Sequence, residues 1–568
     1  MSRTTLRAVR ALAAGVLFVG VAACGEPPAP LPESTPMTAS SAPTEGPEVG
    51  KTPADTLVFG HADDATKLDP ADVTDSESLL ATWQIFEGLT RYKAGGTEVE
   101  PALATEWSAS DDGLTWTFKL RTGVKFHDGT DFNADAVVWN FNRWFDPTHP
   151  QHFADWEFEY WKSMFQGLKD ETNEDGTPKS VFAGAEAVDA STVKLTLNRP
   201  SAPLLQNLAM GNFAFSSPAA VEAAGSAYGT PNGSPIAIGT GPYKVAEWMK
   251  DDRLLLETNA DYWGTPPATP NLELRSIPDN TSRFLALQNG EIDGMTQLNP
   301  DNIATAQEDT NLTVTFEPPN NVGYIGFNQA KAPWDNIDCR KAVAQAIDKS
   351  AIVDTMYAGD AEPAAQMMPP SLWGYNKALT DHSFDMTGAK TSLEACLAKS
   401  TLPEKVQFYV MPVARFYFPQ PKELGEYIQA QLQELGVTTE IQSPDWGTQY
   451  LPDVRDGKAE LFMLGWGGDN GDPDNFLCQF FCGAESSFFS KDGQAAPPDE
   501  ALATLLKEAS ATTDPAKRTQ MYEQANQIVH DLVLAVPLVH RSPPIVFRAT
   551  VTGYTASPLQ HVLVGVKK

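Results

Sequence analysis

Residues 461–477 read LFMLGWGGDNGDPDNFL, and the rest of the chain can be placed outward from them. The apolar run 461–464 has the length and flanks of a buried strand. It is expected to break at residues 465–468, Gly-Trp-Gly-Gly, where glycine permits a turn and a close approach of backbone to ligand. Asp469 follows, then Asn470 and Gly471, then the turn residues Asp472, Pro473 and Asp474. A strand edge, an aromatic face and a carboxylate thus gather at one strand end. That combination suits an extended ligand with a free cationic amine, held by main-chain pairing and one charge-assisted hydrogen bond. A calcium loop is the rival reading of the three aspartates, but Pro473 interrupts it and the spacing lacks the D-x-D-x-D-G order with a distant Glu.

Around this stretch, residues 319–537 alternate helix and strand signals, which predicts a mostly parallel sheet with helices on its faces. Asp338 is expected to open one helix. A second runs over 423–435 with Leu424, Tyr427, Ile428, Leu432 and Leu435 on one face, ended by Gly436. Residues 406–410 and 437–441 read as strands and 515–534 as a last helix. Crossings between two lobes are expected near 317–324 and at 535–539, with residues 538–568 returning to the first lobe. Residues 56–318 supply that first lobe, with 56–60 as its first strand and an accessory subdomain at about 91–230. In the latter, 114–120 (LTWTFKL) and 192–197 alternate with period two, and Asn133 caps a helix over 134–145. Two crossings linking two rigid bodies make a hinge with a cleft between them.

The 568 residues carry a net charge of −32, which argues against nucleic acid or anionic lipid as the main partner. Hydrophobic residues at 42% and charged residues at 20% describe an ordinary globular composition, with room for two or three domains. Arg3, Arg7 and Arg10 precede the apolar stretch 11–23, the pattern of a secretory signal too short to span a bilayer comfortably. Residues 24–55 are rich in Pro, Ser, Thr and Ala and poor in large apolar side chains, so they read as an extended tether. Four cysteines follow Cys24, an even number that favours disulfides in an exported chain. Three connectivities are open; Cys478 and Cys482 are close enough to pair locally, leaving Cys339 with Cys396. Zinc is the rival there, but no His lies near them. Asn232, Asn280 and Asn311 open N-x-S/T triplets to which no role is assigned. No G-x-S-x-G or H-E-x-x-H motif and no suggestive Cys–His pairing is present, so the chain does not read as an enzyme; an exported peptidase is the remote alternative.

Several blocks share an order along the chain with one family. They are Leu68-Asp69-Pro70, residues 134–138 (ADAVV), 239–243 (GTGPY), 261–264 (DYWG), 322–324 (VGY), 340–343 (RKAV), 369–375 (PPSLWGY), 411–415 (MPVAR) and the GDNGDPDNF stretch. Together they resemble the dipeptide- and oligopeptide-binding proteins of bacterial ABC importers, the dipeptide-binding branch of solute-binding family 5. The resemblance covers most of residues 56–550. It implies a periplasmic-binding-protein type II α/β fold in its large three-subdomain variant, with two lobes and two hinge crossings. It also implies a monomer that captures dipeptides or short oligopeptides and delivers them to a membrane permease, with neither cofactor nor metal. Residues 21–25 (VAACG) resemble a lipobox, making Cys24 the lipid-modified first mature residue and tethering the exported protein to the plasma membrane from outside.

Within that frame Asp469 is the candidate for the peptide ammonium and Arg415 for its carboxylate, since a planar guanidinium suits a carboxylate held in one orientation. Phe416 stands where relatives often have Pro. Trp466 is expected to wall a side-chain pocket, with Gly465 and Gly467 beside it admitting the ligand. Tyr417 and Thr74 match positions that meet ligand in the family. The same scaffold also serves longer oligopeptides, murein peptides, haem and nickel complexes, which remain the alternatives for the ligand.

Overall fold

Two large sheets, one per lobe, anchor the chain, which passes between them twice. The computed structural model describes residues 55–482, 490–491 and 494–568; the expected signal segment, Cys24 and nearly all of the tether lie outside them. The sheet of the first lobe has seven strands, in the order Leu312–Phe316, Pro544–Arg548, Gly294–Met295, Thr56–His61, Asn271–Ser276, Arg253–Thr258 and Tyr243–Met249. Thr56–His61 is buried along its whole length and pairs in parallel on both sides. The second lobe has six strands, ordered Ala361–Pro363, Ala535–Arg541, Asn321–Phe327, Leu461–Gly467, Val406–Tyr409 and Thr439–Gln442.

The first crossing is therefore residues 317–320 and the return is residues 542–543. The return was expected at 535–539, with the second lobe ending at 537. Instead Ala535–Arg541 is a fully buried strand of that lobe, paired to Asn321–Phe327 and Ala361–Pro363, so the boundary follows Arg541. The expected mostly parallel sheet is also corrected. Asn321–Phe327 runs antiparallel to both its neighbours, and only Val406–Tyr409 pairs in parallel, with Thr439–Gln442 and Leu461–Gly467. The reason is topological: the chain enters the lobe on Asn321–Phe327 and leaves on the adjacent Ala535–Arg541, so the two must run in opposite directions.

The accessory subdomain carries a four-stranded antiparallel sheet, Ala104–Ala109, Thr115–Leu120, Thr192–Leu197 and Phe182–Asp189. Trp116, Phe118 and Leu120 face its core, as period-two alternation requires. Helix Ala134–Phe145 covers this sheet; the Asn133 side chain accepts from the Ala136 amide at 3.0 Å, satisfying one of the free donors of its first turn. Phe141, Trp144, Trp161 and Phe182 form the aromatic centre.

Several of the blocks that carry the family resemblance are structural, each bracing its own lobe. Buried Asp69 pairs with buried Arg143, pinning the Leu68-Asp69-Pro70 loop to the accessory subdomain. Glu87 accepts from Thr240 Oγ1 (2.9 Å), the Tyr262 hydroxyl (2.9 Å) and Trp263 Nε1 (2.8 Å), so residues 239–243 and 261–264 meet on one carboxylate. In the second lobe, disulfide Cys339–Cys396 staples helix Ile337–Ala346 to helix Met386–Leu397, and Cys478 bonds Cys482. The Ile337–Ala346 helix is capped by Asn336, whose side chain accepts from the Asp338 amide, rather than opened by Asp338 itself. Leu461, Phe462 and Met463 are fully buried, each contributing about 1.5–3 kcal/mol of transfer free energy to the strand that carries the site.

Candidate functional site

The expected strand break at residue 465 does not occur. Leu461–Gly467 stays in register with Asn321–Phe327, Gly465 opposite Gly323 and Gly467 opposite Asn321. The glycines serve a different close approach. A Cβ on Gly465 would collide with the Tyr417 ring, and one on Gly467 would come within 2.6 Å of the Phe416 ring. The aromatic residues after Arg415 thus pack against this strand, and the side of Gly465 and Gly467 that was assigned to ligand is taken by protein.

Those rings place the turn carrying Arg415. Arg415 and Phe418 exchange backbone hydrogen bonds at 3.0 and 2.9 Å, closing a tight loop despite Phe416 at its second position. The Phe416 carbonyl accepts from Arg541 Nη1 at 2.7 Å and the Tyr417 carbonyl from the Tyr357 hydroxyl at 2.8 Å. The backbone is fixed while the Arg415 side chain is exposed, its guanidinium 5.1 Å over the ring of Trp446. Tyr417 is buried, and burial pushes its hydroxyl pKa up to about 12, so it is a neutral donor at any physiological pH.

Past the strand end, Asp469 is a half-buried carboxylate surrounded by neutral donors. Asn475 Nδ2 donates to its Oδ2 at 3.0 Å, and Asn475 Oδ1 accepts both the Asp469 amide (2.8 Å) and Trp466 Nε1 (3.2 Å). The other oxygen accepts from the Tyr160 hydroxyl at 3.3 Å. Among the described residues no Lys or Arg pairs with Asp469. Burial pushes its pKa up to about 6, and the hydrogen bonds from Asn475 and Tyr160 only partly oppose that. Trp466 packs edge-on against Phe480 at 5.9 Å, so its ring is half core and half wall.

Tyr160 belongs to the first lobe, so the Asp469 environment is completed across the cleft. The next residue does the same: Asn470 Nδ2 donates to Asn207 Oδ1 at 2.6 Å, both side chains buried. Gly471 packs against Thr97 and Leu559. The lobes touch again where the Ala202 amide donates to the Ser510 carbonyl at 2.8 Å. The structure is therefore a closed arrangement.

The loop is held from beneath by Asp472. Its two oxygens accept Arg518 Nη1 and Nη2, each at 2.9 Å, and both side chains are buried. Arg518 also donates to the Ala509 carbonyl and the Tyr522 hydroxyl, and that hydroxyl reaches Asp474 at 3.2 Å. Burial and the neighbouring Asp472 charge push Asp474 up to about 7. Thr74 sits exposed between the Pro70–Asp72 turn and helix Ser76–Ile85, its backbone approach fixed by Asn212 Nδ2 donating to the Pro70 and Val73 carbonyls.

Structure thus brings Asp469, Trp466, Gly465, Gly467, Tyr417 and the Arg415 turn onto one strand end. It adds four residues that sequence reasoning missed. Asn475 carried a signal, lying within the same DPDN turn; Trp446, Tyr160 and Asn207 carried none, because their partners are remote in sequence.

Comparison with known proteins places the whole chain rather than the site. The family model described as bacterial extracellular solute-binding proteins, family 5 Middle, matches residues 98–488. The chain is 36% identical over 485 residues to the dipeptide-binding protein of Escherichia coli (strain K12), covering 84% of this chain and 87% of that one. It is 32% identical over 564 residues to heme-binding protein A of Haemophilus influenzae, covering 97% of each. Among solved structures, the periplasmic binding protein DppA of Helicobacter pylori in complex with the peptide STSA superposes with a TM-score of 0.71 at 29% identity, over 90% of this chain and 98% of that one.

Proposed function

The chain belongs to family 5 of the bacterial extracellular solute-binding proteins, and from that premise we propose that it captures dipeptides or short oligopeptides between its lobes for an ABC importer. Members of this family bind substrate and are not enzymes. The observation that carries the ligand class is Asp469: a desolvated carboxylate facing the opposite lobe, supplied with neutral donors and paired with no cation among the described residues. A peptide ammonium is the missing charge. Arg415, exposed on the neighbouring turn, receives the carboxylate, while Trp466, Tyr417 and Thr74 line the guest between the two ends. Strand-edge main chain and two terminal charges recognise what all short peptides share and leave side chains free to vary. Closure then buries the guest, and the closed form is what a permease engages.

The chain is exported, processed before Cys24 and held to the outer face of the plasma membrane by lipid on that residue, acting as a monomer. Mass spectrometry of the processed chain would test the lipid: an unmodified N-terminus at residue 24 or later would refute it.

Because similarity to a heme-binding relative also spans the whole chain, the ligand is best identified directly. Native mass spectrometry of the protein as purified should show an adduct of peptide mass that is lost on denaturation. An adduct of haem mass, together with no heat of binding for any dipeptide, would overturn the reading.

A further inference from the structure

Arg415 is exposed, and among the described residues no carboxylate pairs with its guanidinium; its recorded partner is the face of Trp446, 5.1 Å away. A long side chain with several rotatable bonds makes a poor gauge of distance unless something holds it. Trp446 is well placed to do so. It opens the π-helical turn Trp446–Tyr450, a rare local geometry that recurs at functional sites. The Asp445 side chain starts this turn by accepting from the Thr448 amide at 3.0 Å. Trp446 then stacks on Tyr450, with centroids 5.3 Å apart and planes 25° apart.

Tyr450 connects this stack to both halves of the site. It is fully buried, and its hydroxyl donates to the Met463 carbonyl while lying 3.1 Å from the Tyr409 carbonyl. Met463 is on the strand that leads into Asp469, and Tyr409 is on the strand that leads into the Arg415 turn. One buried phenol therefore registers the Trp446 plate against the strands bearing both charged anchors.

We propose that Trp446 is a positioning residue that fixes the reach of Arg415 and thereby sets the length of peptide the cleft accepts. This rests on the reading of Arg415 as the carboxylate anchor. Cation–π attraction to the half-buried ring biases where the exposed guanidinium rests without consuming its hydrogen-bond donors, so the donors stay free for the guest. Freed from the ring, Arg415 would sweep a range of positions, and the preference for one peptide length would relax. If Trp446 only lined a wall, its loss would weaken all guests alike.

The test uses the full chain, isothermal titration, and three probes: the dipeptide Ala-Phe, its C-terminal amide, and the tripeptide Ala-Ala-Phe. Trp446→Leu keeps apolar bulk without a π face, and Trp446→Phe keeps a face. W446L should cut the acid-over-amide preference roughly two- to fivefold and narrow the gap between dipeptide and tripeptide, while W446F keeps most of both. Arg415→Ala should abolish the acid-over-amide preference, and adding W446L to it should change that preference no further. Equal weakening of acid and amide by W446L would overturn the proposal and leave Trp446 as wall. An R415A variant that keeps the full preference would show that the reading of Arg415 itself had failed, whatever Trp446 does.

Discussion

Asp469 and Asp472 stand three residues apart in one loop and meet opposite fates. Asp472 is fully buried and saturated by a bidentate Arg518, a geometry that leaves nothing for a guest to add. Asp469 is partly buried, faces the other lobe and, among the described residues, has its carboxylate met by an amide and a phenol. One carboxylate builds the loop; the other, on the reading proposed above, is the one the loop presents to a guest. Desolvation without a paired cation separates the two acids, which their shared motif does not.

That contrast can be attacked from both sides. The largest expected effect is structural: Asp472→Ala strands Arg518 as a buried unpaired charge and should cost about 3–5 kcal/mol of stability, measured by chemical denaturation. A loss under about 1 kcal/mol would mean that Asp472 is no scaffold. Asp469→Asn is expected to do the reverse. It should leave stability unchanged or slightly raised while weakening dipeptide binding by about 2–5 kcal/mol, roughly thirtyfold or more. Titration calorimetry showing unaltered affinity would remove Asp469 from the site.

The contrast also has a pH signature. Burial raises the Asp469 pKa to about 6, above its ordinary value of 3.8, so between those values the folded state holds a proton that the unfolded state has released. Stability from this group is therefore fully present below the unfolded value and is lost as pH rises towards 6. A bound ammonium favours the ionised form, so peptide affinity should climb as pH rises to about 6 and then level off, with proton release on binding near pH 5–6. Calorimetry in buffers of different ionisation enthalpy reads that release, and it should vanish in Asp469→Asn. The smallest effect belongs to Tyr160. Tyr160→Phe removes one neutral hydrogen bond across the cleft and should weaken binding only severalfold, about 0.5–1.5 kcal/mol, without shifting the melting temperature.

Much of this was legible along the chain. Asn133 capping Ala134–Phe145, the Thr115–Leu120 face and Gly436 ending Pro421–Leu435 follow from local rules, since caps, alternation and positive-φ glycine act within a few residues. The errors came where the deciding contact was remote. Residues 465–467 read as a break because glycine is scarce in strands; they stay in the sheet because Tyr417 and Phe416 occupy the missing Cβ space. Residues 535–539 read as a crossing because a run rejoining the first lobe was expected there, whereas pairing on both edges keeps the strand Ala535–Arg541 in the second.

The order of its blocks and the Asp469 motif were enough, by sequence alone, to point to a two-lobed solute-binding architecture and to nominate an acid and a base for the two ends of a guest. Only the tertiary structure separated Asp469 from Asp472, brought Tyr160 and Asn207 across the cleft, and seated Arg415 on Trp446. The physical reason is range: propensity, capping and period are set by neighbours in the chain, whereas desolvation and charge pairing depend on which groups share space.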